Sequence, residues 1–272
     1  MTEKNSEHKI SETEPKIGLV LSGGGIRGVA HIGAIRALQE DGIFPTHISG
    51  TSAGAIVGLL YAAGASWSEI LDFFKTIPII HTQKYALRKP GFIDTEKFYS
   101  DFKKMLPEDN FKALIKPFFV TAVNLIKGTL KIFDTGEVIR PVLASASFPG
   151  IFTPTKIGKS YYVDGGVLKN FPVEPLKGIY DNIIGIHVNP LRTIKPADLK
   201  HSYNILERAY KIKMAADSIE KIVYCDLVIK PEKLNTYSMF NMKSIDAIFD
   251  LGYTSTKEAL RGGILMDKAF YI

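Results

Sequence analysis

The sequence predicts an α/β protein built on a parallel sheet, and two observations predict it. A strand, a glycine-rich turn and a helix follow one another twice between Lys16 and Gly64, and parallel neighbours need such helical crossovers. The strands are also short continuous apolar runs, the pattern of strands buried on both faces. With 272 residues, of which 46% are hydrophobic, the chain can fill one large core.

Lys16 to Leu21 is the first strand. Ser22-Gly-Gly-Gly-Ile-Arg-Gly28 turns into a helix from Val29 to about Asp41, with Ile32, Ile35 and Leu38 at helical spacing and Gly42 as its stop. A second strand ends at Ser49. The helix from Ala53 to Ala63 follows, with Gly64 at the left-handed cap position. Ser66-Trp-Ser-Glu69 is a capping box for a helix from Trp67 to about Lys75. Asp94 can cap a helix through Leu106 that carries Phe98, Phe102 and Met105 on one face. The region 66–116 therefore reads as a helical insertion over the open end of the sheet. Pro117 to Asn124 and Thr129 to Asp134 read as neighbouring strands, and Val138 to Ser145 as a helix. Phe152 to Ile157 and Ser160 to Val163 flank Gly158-Lys159 as a hairpin. Ile183 to Val188 is another buried strand, Lys200 to Val223 a long amphipathic helix, Asp226 to Ile229 a short strand and Ser244 to Leu260 the last helix.

Residues 1–15 are polar and lack the apolar stretch of a signal peptide, so a disordered arm is expected ahead of a single domain over 16–272. The best apolar run, Ile56 to Ala63, is far too short to cross a membrane. The single cysteine, Cys225, leaves no internal disulfide and fits a reducing, cytoplasmic setting; its simplest role is as a small buried residue. The formal charge is +6, and nine Lys or Arg against five Asp or Glu between Lys75 and Lys116 place about +4 of it there. With Phe73, Phe74, Tyr85, Phe92, Phe98 and Phe102 in the same region, that surface could touch an anionic membrane peripherally. A buried helical face under solvated lysines is the alternative. No zinc-finger spacing, RNA-binding signature or Lys/Arg run points to nucleic acid. The long helix 200–223 could serve a homodimer interface.

The chemistry centres on Gly50-Thr51-Ser52-Ala53-Gly54, a G-x-S-x-G between a strand and a helix. A serine at that sharp turn is forced into strained geometry with its hydroxyl displayed, while flanking glycines let strand and helix pass closely. Gly23, Gly25 and Gly28 also satisfy G-x-G-x-x-G, so a dinucleotide site has to be weighed. The acid that would hold the ribose is absent from the end of the next strand, where Gly50, Thr51 and Ser52 stand. The favoured alternative is a nest of backbone N–H groups near a nucleophilic serine, an oxyanion hole. Arg27 could fix this loop, meet an anionic head group or sit in a structural salt bridge. A serine nucleophile needs a base. His81, His187 and His201 lie in no loop that would return them to Ser52. Asp164 differs: it follows a strand, and Gly165 and Gly166 allow close backbone approach.

Gly23-Gly-Gly-Ile-Arg-Gly28, Gly50-Thr-Ser-Ala-Gly54, Ala144-Ser-Ala-Ser-Phe-Pro149 and Asp164-Gly-Gly166 stand in the order and spacing of one family. From Lys16 to Val188, and more weakly to the C-terminus, the chain resembles the patatin-like phospholipases. The resemblance implies a three-layer α/β/α fold with a mostly parallel central sheet. It implies a Ser52–Asp164 dyad in place of a triad, an oxyanion hole from Gly23, Gly24, Gly25, Ile26, Arg27 and Gly28, and no metal or cofactor. The expected activity is hydrolysis of acyl esters in phospholipids or other lipids. A soluble carboxylesterase or thioesterase, or a non-catalytic regulatory protein on the same fold, are the alternatives.

Overall fold

The computed structural model describes residues 16–77, 85–86, 89–178, 182–239 and 242–262. The expected N-terminal arm and His81 lie outside the described residues. A mixed sheet runs through the centre: β1 (Ile17–Leu21), β2 (His47–Gly50), β3 (Phe118–Asn124), β4 (Thr129–Phe133), β5 (Thr155–Ile157), β6 (Ser160–Asp164), β7 (Asn182–Ile186) and β8 (Leu227–Ile229). The order is β5-β6-β3-β2-β1-β7-β8, with β4 also paired to β3. β3, β2, β1, β7 and β8 are mutually parallel, and the β4, β5 and β6 pairings are antiparallel.

The helices are α1 (Val29–Glu40), α2 (Ala53–Ala62), α3 (Trp67–Thr76), α4 (Tyr99–Met105), α5 (Ile139–Ser145), α6 (Ser202–Ile222) and α7 (Ile245–Arg261). Strand periodicity divides the core into two layers. Ile17, Leu19 and Leu21 of β1 join the large cluster built with α1, α2, α3 and α7. Val20, between them, belongs to a second cluster with Phe171, Val173 and Leu176, onto which Ile222 of α6 packs. Helices thus cover both faces, which is why β1 and β7 read as unbroken apolar runs.

One feature of the sheet sets up the site. β2 pairs with Phe118–Val120 and β6 with Ala122–Asn124, while β4 pairs with Val120–Asn124. Since β4 overlaps both of the others, it must occupy one edge of β3, leaving β2 and β6 to share the opposite edge. They approach from opposite ends and stop on either side of Thr121. The last residue of β2 and the last residue of β6 therefore arrive side by side.

Most sequence-derived elements stand within two residues of their expected ends, and three differ in detail. The helix expected from Asp94 is a 3-10 turn over Thr95–Phe98 followed by α4, with Asp94 Oδ1 accepting from the Glu96 N–H. The first hairpin strand begins at Thr155, not Phe152, because the Phe152 N–H turns back to the Phe148 carbonyl. Strand β7 ends at Ile186, and the Val188 N–H goes to Ser22 Oγ. Cys225 is only half-buried, at the margin of the second cluster. The aromatic stripe of the insertion also divides: Phe73, Phe74, Phe98 and Phe102 are core, while Tyr85 and Phe92 are exposed.

Candidate active site

Ser52 sits between β2 and α2 with φ 55° and ψ −125°, the one non-glycine residue with positive φ among the described residues. That conformation is glycine territory and costs about 1–3 kcal/mol elsewhere. It is held on three sides. The Thr51 N–H donates to the Leu21 carbonyl (3.1 Å), and the Ser52 N–H donates to Ser145 Oγ (2.8 Å). Thr51 Oγ1 lies 2.6 Å from Thr121 Oγ1 and donates to the Lys169 carbonyl. Gly54 has to be glycine, since a Cβ there would strike the carbonyls of Leu21 and Ser22. The elbow is thus pressed onto the end of β1, directly under the glycine loop.

Asp164 ends β6, and its Oδ2 accepts from Ser52 Oγ at 2.6 Å. Oδ1 accepts from the Gly166 N–H at 2.7 Å. The Asp164 N–H donates to the Ser147 carbonyl at 3.0 Å. The end of α5 and the residues just after it therefore clamp both partners, Ser52 through Ser145 and Asp164 through Ser147. Both dyad residues are buried, Ser52 at 8% exposure and Asp164 at 1%. Burial raises the Asp164 pKa to about 6, against the opposing pull of the Ser52 hydroxyl and the Gly166 N–H. A carboxylate at about 6 is a better base than an exposed one and remains ionised at neutral pH.

The glycine loop passes over Ser52, and a Cβ on Gly23 would come within 3.1 Å of Ser52 Cβ. The Gly23 N–H donates to the Asn170 carbonyl and the Ile26 N–H to the Met239 carbonyl. The N–H groups of Gly24 and Gly25 donate to no acceptor among the described residues. Gly25 itself has φ 60°, and a Cβ there would strike the Met239 carbonyl. Of the six loop residues, Gly24 and Gly25 thus offer free donors to an anion. Arg27 is turned the other way. It is buried, donates through Nε and Nη2 to the Tyr237 carbonyl and through Nη1 to Asn189 Oδ1, and so ties the loop to the C-terminal segment. Neither the head-group role nor the salt bridge is what these contacts give it.

Ser52 opens onto an apolar cavity of about 220 Å³, bounded by Ile26, Ile56, Phe148, Ile151 and Met239 among others. A second apolar chamber of about 80 Å³ continues beyond it, and Ile56, Phe74, Ala146 and Phe152 line both. The four buried aromatics of the insertion build the walls of this second chamber or sit against them. His187 is buried beside Phe171 and His201 caps α6, so neither reaches Ser52. Among the described residues no three His, Cys, Asp or Glu side chains gather as a metal site would require. Three contributors carried no signal readable alone: Ser145, Thr121 and Met239. The first lies in the Ala144–Pro149 motif, whose order was informative although its hydrogen bonds were not.

The chain is similar to known proteins in three ways. The family described as patatin-like phospholipase matches residues 19–177. An uncharacterized NTE family protein of Mycobacterium tuberculosis is 29% identical over 195 residues, covering 68% of this chain and 53% of its own. Lysophospholipase NTE1 of Cryptococcus neoformans is 30% identical over 203 residues, covering 67% of this chain and 12% of its own. The chain thus spans about half the length of the mycobacterial relative and a small part of the fungal one. Among solved structures, VipD from Legionella pneumophila superposes with a TM-score of 0.52 at 18% identity, covering 92% of this chain and 67% of that one, a likeness of fold.

Proposed function

The chain belongs to the patatin-like phospholipase family, and from that premise we propose that it is a serine hydrolase of phospholipid or related lipid acyl esters, with Ser52 as nucleophile and Asp164 as base. The observation that carries this reading is the 2.6 Å contact of Ser52 Oγ with Asp164 Oδ2 at the end of an apolar cavity. The acyl chain lies in the cavity and its second chamber, with the ester carbonyl over Ser52. Asp164 accepts the serine proton as Oγ attacks. The Gly24 and Gly25 N–H groups stabilise the tetrahedral oxyanion. Asp164 returns the proton to the leaving alcohol, which leaves the acyl group on Ser52 Oγ. Water then loses its proton to the same carboxylate and attacks the acyl carbonyl, and Asp164 passes that proton back to Oγ as the acyl–Oγ bond breaks and the fatty acid leaves.

The strained elbow suits this role because it fixes Oγ toward the base without a search over rotamers and backbone states. No helix among the described residues is long and apolar enough to cross a membrane, so contact with lipid is peripheral in this proposal. Two assays test it: release of p-nitrophenol from acyl esters, and release of fatty acid from mixed phospholipid vesicles. Activity on both that disappears in Ser52→Ala supports a lipid acyl hydrolase. Activity on the soluble ester alone points to a general esterase. Silence of the folded protein on both contradicts the reading.

A further inference from the structure

Two buried oxygens near Asp164 have no hydrogen-bond partner among the described residues: Oη of Tyr210, on α6, and Oδ1 of Asn170, in the turn after β6. A buried polar group left unpaired is costly, so two at one spot need a reason. The spot is the face of Gly166 that lacks a side chain. A Cβ placed there would stand 3.0 Å from Asp164 Oδ1, 3.1 Å from Tyr210 Oη and 3.3 Å from Asn170 Oδ1. Three oxygens thus ring the space that a side chain at 166 would fill.

The donor and acceptor inventory decides what fits this ring. Ser218 Oγ donates to the Met214 carbonyl, so it must accept from the Asn170 amide. That turns Asn170 Nδ2 toward Ser218 and leaves Oδ1 facing the niche as an acceptor. Asp164 Oδ1 is the second acceptor. Tyr210 stays protonated, because burial and the Asp164 charge push its pKa well above the ordinary phenol value, so Oη is a donor. Two acceptors and one donor complement one water molecule, which gives two hydrogens and accepts one. A cation would meet the phenol donor, and an anion would meet the carboxylate.

We propose that Tyr210, Asn170 and the bare face of Gly166 form a water-binding site on the outer oxygen of Asp164, through which Tyr210 acts as a positioning residue for the base. The inference rests on the reading of Asp164 as the base. Oδ2 is left for Ser52, while Oδ1 is pinned by the Gly166 N–H and the water. Both hydrogen bonds favour the ionised carboxylate and fix its plane. The groups facing Asp164 from other elements are otherwise neutral: Ser52 ahead of α2, the Ser147 carbonyl after α5, and Thr121 on β3 beneath Gly165. Tyr210 is the other titratable group that faces it.

The test is the pH profile of kcat/KM on a soluble ester for wild type, Tyr210→Phe, Gly166→Ala and Asp164→Asn. Tyr210→Phe keeps the ring against Phe148, whose centroid lies 4.6 Å away, and removes only the hydroxyl. Its acid limb is expected to move upward by about half a pH unit or more, with the rate above pH 8 within about threefold of wild type. Gly166→Ala fills the niche, moves the limb the same way, and makes Tyr210→Phe nearly silent when the two are combined. A limb that stays in place in Tyr210→Phe, or a loss equal at every pH, overturns the niche. An active Asp164→Asn that retains the wild-type limb overturns the dyad instead, and the niche with it.

Discussion

Ser52 and Asp164 are brought together by opposite means. Ser52 stands in a parallel strand–turn–helix and is held by backbone strain, at φ 55°. Asp164 stands at the end of an antiparallel hairpin, at φ −44° and ψ 128°, with no strain of that kind. Its disfavoured feature is burial of a charge, which raises its pKa to about 6. In the proposed mechanism the nucleophile is thus activated by conformation and the base by desolvation. The two arms meet because β2 and β6 share one edge of β3 and stop on either side of Thr121.

The largest effect that would break this comparison is the loss of either group. Ser52→Ala and Asp164→Asn are each expected to lower kcat/KM by about a thousandfold or more, measured on protein whose circular dichroism is unchanged. In wild type, kcat/KM is expected to fall as pH drops through about 6, because protonated Asp164 cannot accept the serine proton; a pH–rate profile checks it. Ala146 lines both apolar chambers, so Ala146→Leu takes volume from both. It is expected to cut turnover of long-chain esters by about tenfold while sparing short ones, read from a chain-length series.

The stability effects are smaller and separate the two arms. The folded Asp164 pKa lies above its ordinary value of 3.8, so the folded state binds the proton more tightly. That contribution is present at acid pH and is lost as pH rises through about 6. Asp164→Asn is therefore expected to stabilise the protein by about 1–3 kcal/mol at pH 8 and by little below pH 4, as read from urea midpoints. Ser52→Gly relieves the strained φ and is expected to be about 1 kcal/mol more stable than Ser52→Ala, at any pH.

The nucleophile arm was legible in the sequence because it is local. Gly50, Ser52 and Gly54 sit within five residues, and the strand and helix on either side carry their own periodicity. The base arm was legible only in part. A strand followed by Asp164-Gly165-Gly166 marks an acid with room around it, but nothing in the spacing says that β6 runs antiparallel to β3 and ends beside β2. Ser145, Thr121 and Asn170 act through tertiary hydrogen bonds across long sequence separations, which leave no local pattern. The insertion shows the same limit. Composition grouped six aromatics there, yet Phe73 and Phe98 face the core while Phe92 is 74% exposed. Arg27 carried three readings, and its choice of the Tyr237 carbonyl depends on a segment more than two hundred residues away.

Fluorophosphonate labelling followed by peptide mapping reads the coupling of the two arms in one experiment. One adduct per chain is expected, on Ser52, formed more slowly as pH falls through about 6 and suppressed in Asp164→Asn. An adduct on another residue, or unchanged labelling of Ser52 in Asp164→Asn, would contradict it.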